Sequence, residues 1–62
     1  RLSLWDAVCT LPEQMRIVVT LFYYEDLSVR QISQILKISQ GAVRTRLSRA
    51  RDQLRQMLEE EE

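Results

Sequence analysis

The sequence predicts an all-α fold, a small four-helix domain whose last two helices form a helix-turn-helix. Apolar residues recur at steps of three and four along most of the chain, which is the spacing of one face of a helix. Ser, Thr or Pro precedes three of these segments, where such residues favour helix starts. The sequence contains no pair of strand-like segments and no internal repeat. We therefore predict a single domain over residues 1–62.

Composition limits the classes of site that the chain can build. A chain of 62 residues lies near the lower limit for a single core without a metal or a disulfide. One Cys and no His exclude an internal disulfide and the usual zinc ligand sets, so we expect no metal or cofactor and a reducing, cytoplasmic setting. The apolar runs are too short to cross a bilayer, so we expect no membrane insertion. Because the sequence begins at Arg1 without Met, we expect a piece of a longer protein.

Charge is balanced overall but unevenly distributed. The formal net charge is zero, yet the segment from Lys37 to Arg55 holds six basic residues against Asp52 alone. This segment creates a local positive field that favours anionic ligands. The four Glu residues at positions 59–62 predict a frayed, solvated helix end, and any other role for them is left open.

The first predicted helix is short and runs from Leu2 to Cys9. Leu2, Trp5 and Cys9 share one face, and Leu4 and Val8 lie beside it. This face can pack on one side of the second helix.

The second predicted helix runs from about Pro12 to Tyr24. Thr10 and Glu13 match a capping box at its start, and proline is tolerated in the first turn because its missing N–H has no helical partner there. Two apolar stripes indicate packing on two sides. One stripe holds Met15, Val18, Val19 and Phe22, and the other holds Ile17, Leu21 and Tyr24. The second stripe is either covered by the first helix or exposed as a docking patch for a protein.

Two further helices follow in the second half of the chain. Ser28 and Gln31 match a capping box that opens a short helix. Its apolar residues, expected to face inward, are Val29, Ile32, Ile35 and Leu36. Ser39 is suited to cap a last helix over about residues 40–58, roughly 28 Å long. Its apolar stripe comprises Val43, Leu47, Ala50, Leu54 and Met57.

A short helix, a tight turn and a second capped helix over about residues 28–47 predict a helix-turn-helix. With the apolar stripe buried, Gly41, Thr45 and Ser48 lie on the opposite, exposed side of the last helix. Arg44 and Arg49 flank this exposed side. Gln40 lies at the helix start, where its side chain can reach the floor of a groove.

The sequence resembles region four, the C-terminal promoter-recognition domain, of bacterial sigma factors, and most closely the extracytoplasmic-function type. The resemblance covers about Leu11 to Leu58. It is carried by Leu11-Pro12-Glu13, Arg16, Leu27-Ser28, Ile32-Ser33, Leu36-Lys37-Ile38-Ser39, Gly41-Ala42-Val43 and Arg46-Leu47-Ser48-Arg49-Ala50-Arg51. It implies that the last helix enters the major groove of the minus-35 promoter element during transcription initiation. It also implies contact with the flap of the beta subunit of RNA polymerase, and binding by an anti-sigma factor.

Ten residues are the resulting candidates for DNA binding. They are Arg30, Ser39, Gln40, Gly41, Arg44, Thr45, Arg46, Ser48, Arg49 and Arg51. Arg44 is placed to fork onto guanine, whereas Arg51 is expected to reach a phosphate. A simply solvated helix face remains the alternative for Arg46 and Arg51, which lie nearer the buried edge, and for Arg55, which lies beyond the groove.

Three positions depart from the pattern of the resembled family. Lys37 stands where Gly is frequent in the turn, and a left-handed conformation there would cost on the order of 1 kcal/mol. Ala42 replaces a frequent Thr, which removes a hydroxyl that could touch a phosphate. Ser33 replaces a frequent Ala at the crossing of the two helices, a small change in size.

Three other classes of protein compete with this interpretation. The apolar stripe of the last helix is also spaced as a coiled-coil seam, but a parallel pair would place Arg46 opposite Arg51 of the other copy. The output domain of response regulators has the same helix-turn-helix and also binds DNA. An enzyme is disfavoured because the chain has no His, one Cys near its start and no glycine-rich loop.

Overall fold

The computed structural model describes residues 2–60 of the chain. Within that range the chain forms four α-helices and no strand, which confirms the predicted fold class. The helices are α1 (Leu4–Cys9), α2 (Glu13–Val19), α3 (Val29–Leu36) and α4 (Gln40–Glu60), and α2 continues as a π-helical turn over Thr20–Tyr24. Helix α4 packs against all three other helices and is the centre of the fold.

Helix α1 begins later than predicted and buries a different face. Ser3 caps it, because the Ser3 hydroxyl accepts a hydrogen bond from the Asp6 N–H at 3.1 Å. Ala7 and Val8 are buried, whereas the side chains of Trp5 and Cys9 are exposed. The buried side of this six-residue helix is therefore formed by Ala7 and Val8, which face α4 and α2, while exposed Trp5 contacts only the Tyr24 ring of the second helix among the ring contacts found in residues 2–60.

The capping box predicted at the start of α2 is not formed. Thr10 ends α1 instead, and its hydroxyl donates to the Ala7 carbonyl at 2.7 Å and contacts the Met57 sulfur at 3.0 Å. Pro12 takes the N-cap position, where its carbonyl accepts from the Arg16 N–H at 2.9 Å. Thr10 cannot cap α2 because its side chain is turned back onto its own helix.

The last turn of the second helix is wider than the predicted α-helix. The Glu25 N–H donates to the Thr20 carbonyl five residues earlier, at 3.1 Å, which is the hydrogen bond of a π-helix. Asp26 follows with a left-handed φ of 58° and ends the element. Tyr23 and Tyr24 belong to this turn.

Helix α3 starts as predicted, and both bonds of its capping box are present. The Ser28 hydroxyl accepts from the Gln31 N–H at 3.0 Å, and the Gln31 side chain accepts from the Ser28 N–H at 2.9 Å. Ile32 is fully buried, but Ile35, predicted to face inward, is 56% exposed. An eight-residue helix has one narrow inward side, and Ile35 lies at its edge.

The turn between α3 and α4 uses a left-handed lysine. Lys37 has φ 58° and ψ 44°, the conformation expected for a Gly at this position. The Ile38 N–H donates to the Ser33 carbonyl at 3.1 Å and closes the turn. The predicted cap of α4 is confirmed, since the Ser39 hydroxyl accepts from the Ala42 N–H at 3.0 Å.

The apolar stripe of α4 forms one wall of the core. This helix has 21 residues and is therefore roughly 31 Å long, two residues longer than predicted. Val43, Leu47 and Ala50 are buried, and Leu54 and Met57 pack against them. Because the other helices of the domain cover this stripe, it is not available as the seam of a coiled coil. The remaining buried apolar residues are Ala7, Val8, Leu11, Val18, Val19 and Ile32.

Candidate nucleic-acid interface

One exposed surface of α4 brings together most of the predicted DNA-binding residues. We call this surface the recognition strip; it comprises Gln40, Gly41, Arg44, Thr45, Ser48 and Arg49, all exposed. It lies opposite the buried residues Val43, Leu47 and Ala50, which fix the rotation of the helix in the domain. The strip therefore faces outward on a rigid helix.

Gly41 has no side chain to cover the backbone of the strip, although the fold does not require a glycine there. It lies inside α4, and a Cβ added there would meet only the Ser39 hydroxyl, at an ordinary contact distance of 3.8 Å. Its small size therefore gives another molecule close access to the helix backbone. Gly41 has ordinary helical backbone geometry, so the conformational freedom of glycine is not needed at this position.

The Arg44 side chain is oriented within the strip. Its guanidinium donates to the Gln40 side-chain oxygen at 3.3 Å, one turn earlier on the helix. Both side chains are exposed, so a base edge can replace this weak bond. The pair places a five-donor group and an amide at the start of the helix.

Two further candidates lie outside the strip, Ser39 at the start of α4 and Arg30 on the preceding helix. The Ser39 hydroxyl is engaged in capping, although the residue is exposed. Arg30 lies in the first turn of α3 and is exposed. No side-chain partner is found for its guanidinium among residues 2–60.

Arg51 is turned away from the strip. Its Nε donates to the Tyr23 hydroxyl at 2.7 Å, and its guanidinium carbon lies 5.7 Å from the centre of the Tyr23 ring. Tyr23 reaches this position from the π-helical turn. A phosphate contact by Arg51 stays a prediction; the bond to Tyr23 uses only Nε, so the terminal nitrogens of the guanidinium keep their donors for such a contact.

Arg46 lies on the other flank of α4, in what we call the polar groove. This groove has a volume of about 490 Å³ and separates the start of α2 from α4. Its lining residues are Pro12, Glu13, Gln14, Met15, Ala42, Thr45, Arg46 and Arg49. Arg46 is half-buried in it, whereas Arg49 is exposed and belongs also to the recognition strip.

A second groove, which we call the apolar groove, opens on the Arg51 side of the domain. Its volume is about 590 Å³. It is lined by Leu4, Val8, Val19, Tyr23, Tyr24, Leu54 and Leu58, with Arg51, Arg55 and Glu59 as its charged members. Sequence reasoning did not identify this groove, because residues from three separate helices form it.

The second apolar stripe of the second helix, formed by Ile17, Leu21 and Tyr24, is neither fully covered nor fully exposed. The Trp5 ring packs edge-on against the Tyr24 ring, with 4.9 Å between the ring centres. Leu21 is half-buried, yet Ile17 and Tyr24 remain 36% and 45% exposed. Helix α1 therefore covers this stripe only in part.

The charges of α4 are segregated along its length. The Arg55 guanidinium lies 3.4 Å from a carboxylate oxygen of Asp52 and 4.0 Å from one of Glu59, so acidic neighbours offset its charge in the C-terminal half of the helix. In the N-terminal half, Arg44, Arg46 and Arg49 have no acidic partner among residues 2–60. The positive potential is therefore concentrated at the recognition strip and the polar groove. Over the same residues, no helix has the length and hydropathy needed to cross a membrane.

Helices α3 and α4, with their exposed basic strip, define a helix-turn-helix domain of the DNA-binding class. Comparison with known families identifies which one. The family model for sigma-70, region 4, matches residues 1–54. The chain therefore belongs to the sigma-70 region 4 family, a family of transcription-factor domains, and the predicted resemblance is confirmed. This membership favours the sigma-factor interpretation over the response-regulator alternative.

Individual relatives agree with this family. The chain is 40% identical over 56 residues to the ECF RNA polymerase sigma factor SigW of Bacillus subtilis, which supports the extracytoplasmic-function type. That match covers 90% of this chain and 30% of the relative. RNA polymerase sigma factor FliA of Escherichia coli K12 is 34% identical over 58 residues, covering 94% of this chain and 24% of the relative. The chain thus spans less than a third of the length of these relatives.

Proposed function

We propose that this chain recognises the minus-35 element of a promoter as the C-terminal DNA-binding region of a sigma factor, which directs RNA polymerase to transcription initiation. The observation that carries the proposal is the recognition strip, an exposed basic surface on α4 opposite the buried stripe of the same helix. An α-helix with its side chains is about 10–12 Å wide, which matches the ~12 Å major groove of B-DNA. In this proposal the chain binds DNA and catalyses no reaction on it. It acts in the cytoplasm, where RNA polymerase works.

The strip offers groups suited to reading base edges. A guanidinium in the position of Arg44 can donate two bonds to guanine O6 and N7, and an amide such as that of Gln40 can pair with adenine N6 and N7. Thr45 and Ser48 are short, so they let the helix lie deep in the groove while offering hydroxyls and a methyl group. The first helix of a helix-turn-helix usually crosses the DNA backbone, so Arg30, exposed in the first turn of α3, is a candidate for a phosphate contact.

We further propose that the apolar groove binds the flap of the beta subunit of RNA polymerase. The groove exposes a continuous apolar surface and lies on the Arg51 flank of α4, so DNA and polymerase can bind at the same time. An anti-sigma factor that uses the same surface would compete with the polymerase. Exposed apolar patches of this kind commonly mark protein-binding sites.

Selection of bound sequences from a random duplex pool tests the proposed function. The selection uses the full chain at low salt, because phosphate contacts contribute much of the affinity of DNA-binding proteins and weaken as salt rises. We expect the chain to enrich one short shared sequence. The variant Arg55→Ala is the matched control and should enrich the same sequence, because Arg55 is paired with Asp52 and Glu59. A pool that stays random after repeated rounds, while duplex is still retained, would show that the chain binds DNA without reading it.

The variant Leu4→Gln is expected to weaken capture of a purified flap segment about fivefold. Leu4 lines the apolar groove and is 54% exposed. The substitution should therefore cost on the order of 1 kcal/mol of binding free energy, because less apolar surface is buried against the partner, and it should change the free energy of unfolding little. Ile35→Gln is the matched control, because Ile35 is 56% exposed but lies outside the groove. Calorimetric titration of both variants measures the difference. Equal losses for the two variants would contradict the assignment of the groove.

A further inference from the structure

We propose that Arg51, held by Tyr23, is a specificity residue of the apolar groove and selects a partner helix that carries an acidic side chain. The proposal rests on the proposed function of this groove as a protein-binding site, and it adds the chemistry that the partner must offer. It assigns Arg51 to a carboxylate of a protein in place of the predicted phosphate.

The first argument is the helical spacing of the residues that α4 contributes to the groove. Five lining residues belong to this helix and recur at steps of three and four, namely Arg51, Leu54, Arg55, Leu58 and Glu59. Such spacing is the face that one helix presents to another. Residues of α1 and of the π-helical turn also line the groove. The groove therefore suits the apolar face of an amphipathic helix that lies along α4.

The second argument is that no acidic side chain offsets the charge of Arg51. Its Nε donates to the Tyr23 hydroxyl at 2.7 Å, and its guanidinium carbon lies 5.7 Å from the centre of the Tyr23 ring. No ion pair involves Arg51 among residues 2–60. The other arginine of the groove, Arg55, lies 3.4 Å from Asp52 and 4.0 Å from Glu59. Arg51 is therefore the arginine of the groove whose charge a partner can neutralise.

The third argument is the geometry of the donors that remain on Arg51. Because Tyr23 engages only Nε, the terminal nitrogens keep N–H groups that can bind both oxygens of one carboxylate. The bond to Tyr23 restricts the guanidinium before the partner arrives, which lowers the entropy lost when the pair forms. A docked helix also excludes water from the groove, where such a pair is stronger than in solvent.

A carboxylate on a helix fits this groove better than a DNA phosphate does. Beside Arg51 the groove presents Leu54 and Leu58, apolar surface that the face of a helix can cover and a phosphate backbone cannot. Glu59 adds a negative charge to the same groove. That charge opposes a polyanion such as DNA, whereas a protein partner can offset it with a basic residue.

The test is selection from a library of helical peptides of about eighteen residues, five turns, which share a leucine stripe and vary beside it. The unmodified full chain is expected to enrich peptides with Asp or Glu at one position. The charge-reversal variant Arg51→Glu is expected to enrich Lys or Arg at that same position. Lys37→Glu is the matched control, because it makes the same change in net charge on an exposed residue outside the groove. It should select the same peptides as the unmodified chain.

Calorimetric titration of one selected peptide measures the size of the preference. The acidic peptide is expected to bind the unmodified chain about fivefold more tightly than the same peptide with glutamine at that position. Tyr23→Phe removes the hydroxyl that accepts from Arg51, so it should lower this ratio and leave the affinity of the glutamine peptide unchanged. If Tyr23 served the fold alone, its substitution would lower both affinities alike.

The same acidic preference for Arg51→Glu and for the unmodified chain would overturn the proposal. A loss of ~0.9 in the slope of log K against log salt for DNA binding by Arg51→Gln would then assign the arginine to a phosphate. If circular dichroism shows that Arg51→Glu is unfolded, Arg51→Gln decides the matter, since its selected peptides should lack the acidic preference.

The library also separates this proposal from the proposed function of the groove. Enrichment of apolar peptides without a preferred acidic position would keep the groove as a protein-binding site and overturn the role of Arg51. A library that yields no bound peptide would overturn both. DNA recognition by the strip is tested independently by the duplex selection.

Discussion

A chain carrying Val43→Asp is expected to be largely unfolded at room temperature. Val43 is completely buried at the centre of the contact between α4 and the rest of the core. No polar side chain is buried in the part of the chain that the structure describes, so nothing there can pair with the new carboxylate. The unpaired group costs several kcal/mol, against a total of about 5 kcal/mol for a domain of this size. Circular dichroism and thermal melting measure the loss.

The matched control for this substitution is Thr45→Asp, two residues later on the same helix. Thr45 is exposed in the second turn of α4, so a carboxylate there stays in water, four residues before Arg49, with which it can pair. It should therefore leave the melting temperature close to that of the unmodified chain. A Val43→Asp variant that melts at the same temperature as this control would mean that α4 is not docked as described.

The second large effect is expected from Arg44→Ala, which should remove most of the preference for one duplex over another. A guanidinium that donates two bonds to one guanine discriminates by ~1–3 kcal/mol, or about 5- to 150-fold in affinity. Arg44 is exposed on the strip and is held only by a 3.3 Å bond to Gln40. Binding curves on two duplexes that differ at one base pair measure the ratio of affinities.

A comparison with Arg46→Gln, a substitution on the flank of α4, separates base reading from backbone holding. Arg44→Ala should lower the ratio between the two duplexes, whereas Arg46→Gln should preserve the ratio and lower both affinities. If Arg44→Ala leaves the ratio intact at every base pair of the selected sequence, the discrimination comes from other residues of the strip.

The sequence was most informative where a structure depends on residues close together in the chain. The caps of α3 and α4 are bonds over three residues, so Ser28, Gln31 and Ser39 could be identified directly. The apolar stripe of α4 follows a fixed helical period, and it placed the exposed strip on the correct side of the helix. The recognition strip was therefore predictable before any tertiary contact was known.

The features that sequence reasoning missed depend on contacts between distant residues or on small differences in energy. Thr10 fits a capping box, but its hydroxyl finds the Ala7 carbonyl and the Met57 sulfur, 47 residues away. The π-helical turn leaves no trace in the apolar period, so the reach of Tyr23 toward Arg51 could not be foreseen. Both grooves join residues from separate helices, and their positions follow only from the packed structure.

The most direct test of the central claim is to map which amide groups of the full chain respond to DNA. An isotopically labelled chain is titrated with the selected duplex, and the change in each backbone amide signal is followed by nuclear magnetic resonance. We expect the largest changes at Gly41, Thr45 and Ser48, and little change at Trp5 and Tyr24, whose rings contact each other outside the recognition strip. Large changes at Trp5 and Tyr24, with the strip unaffected, would contradict the assignment of α4 as the DNA-reading helix.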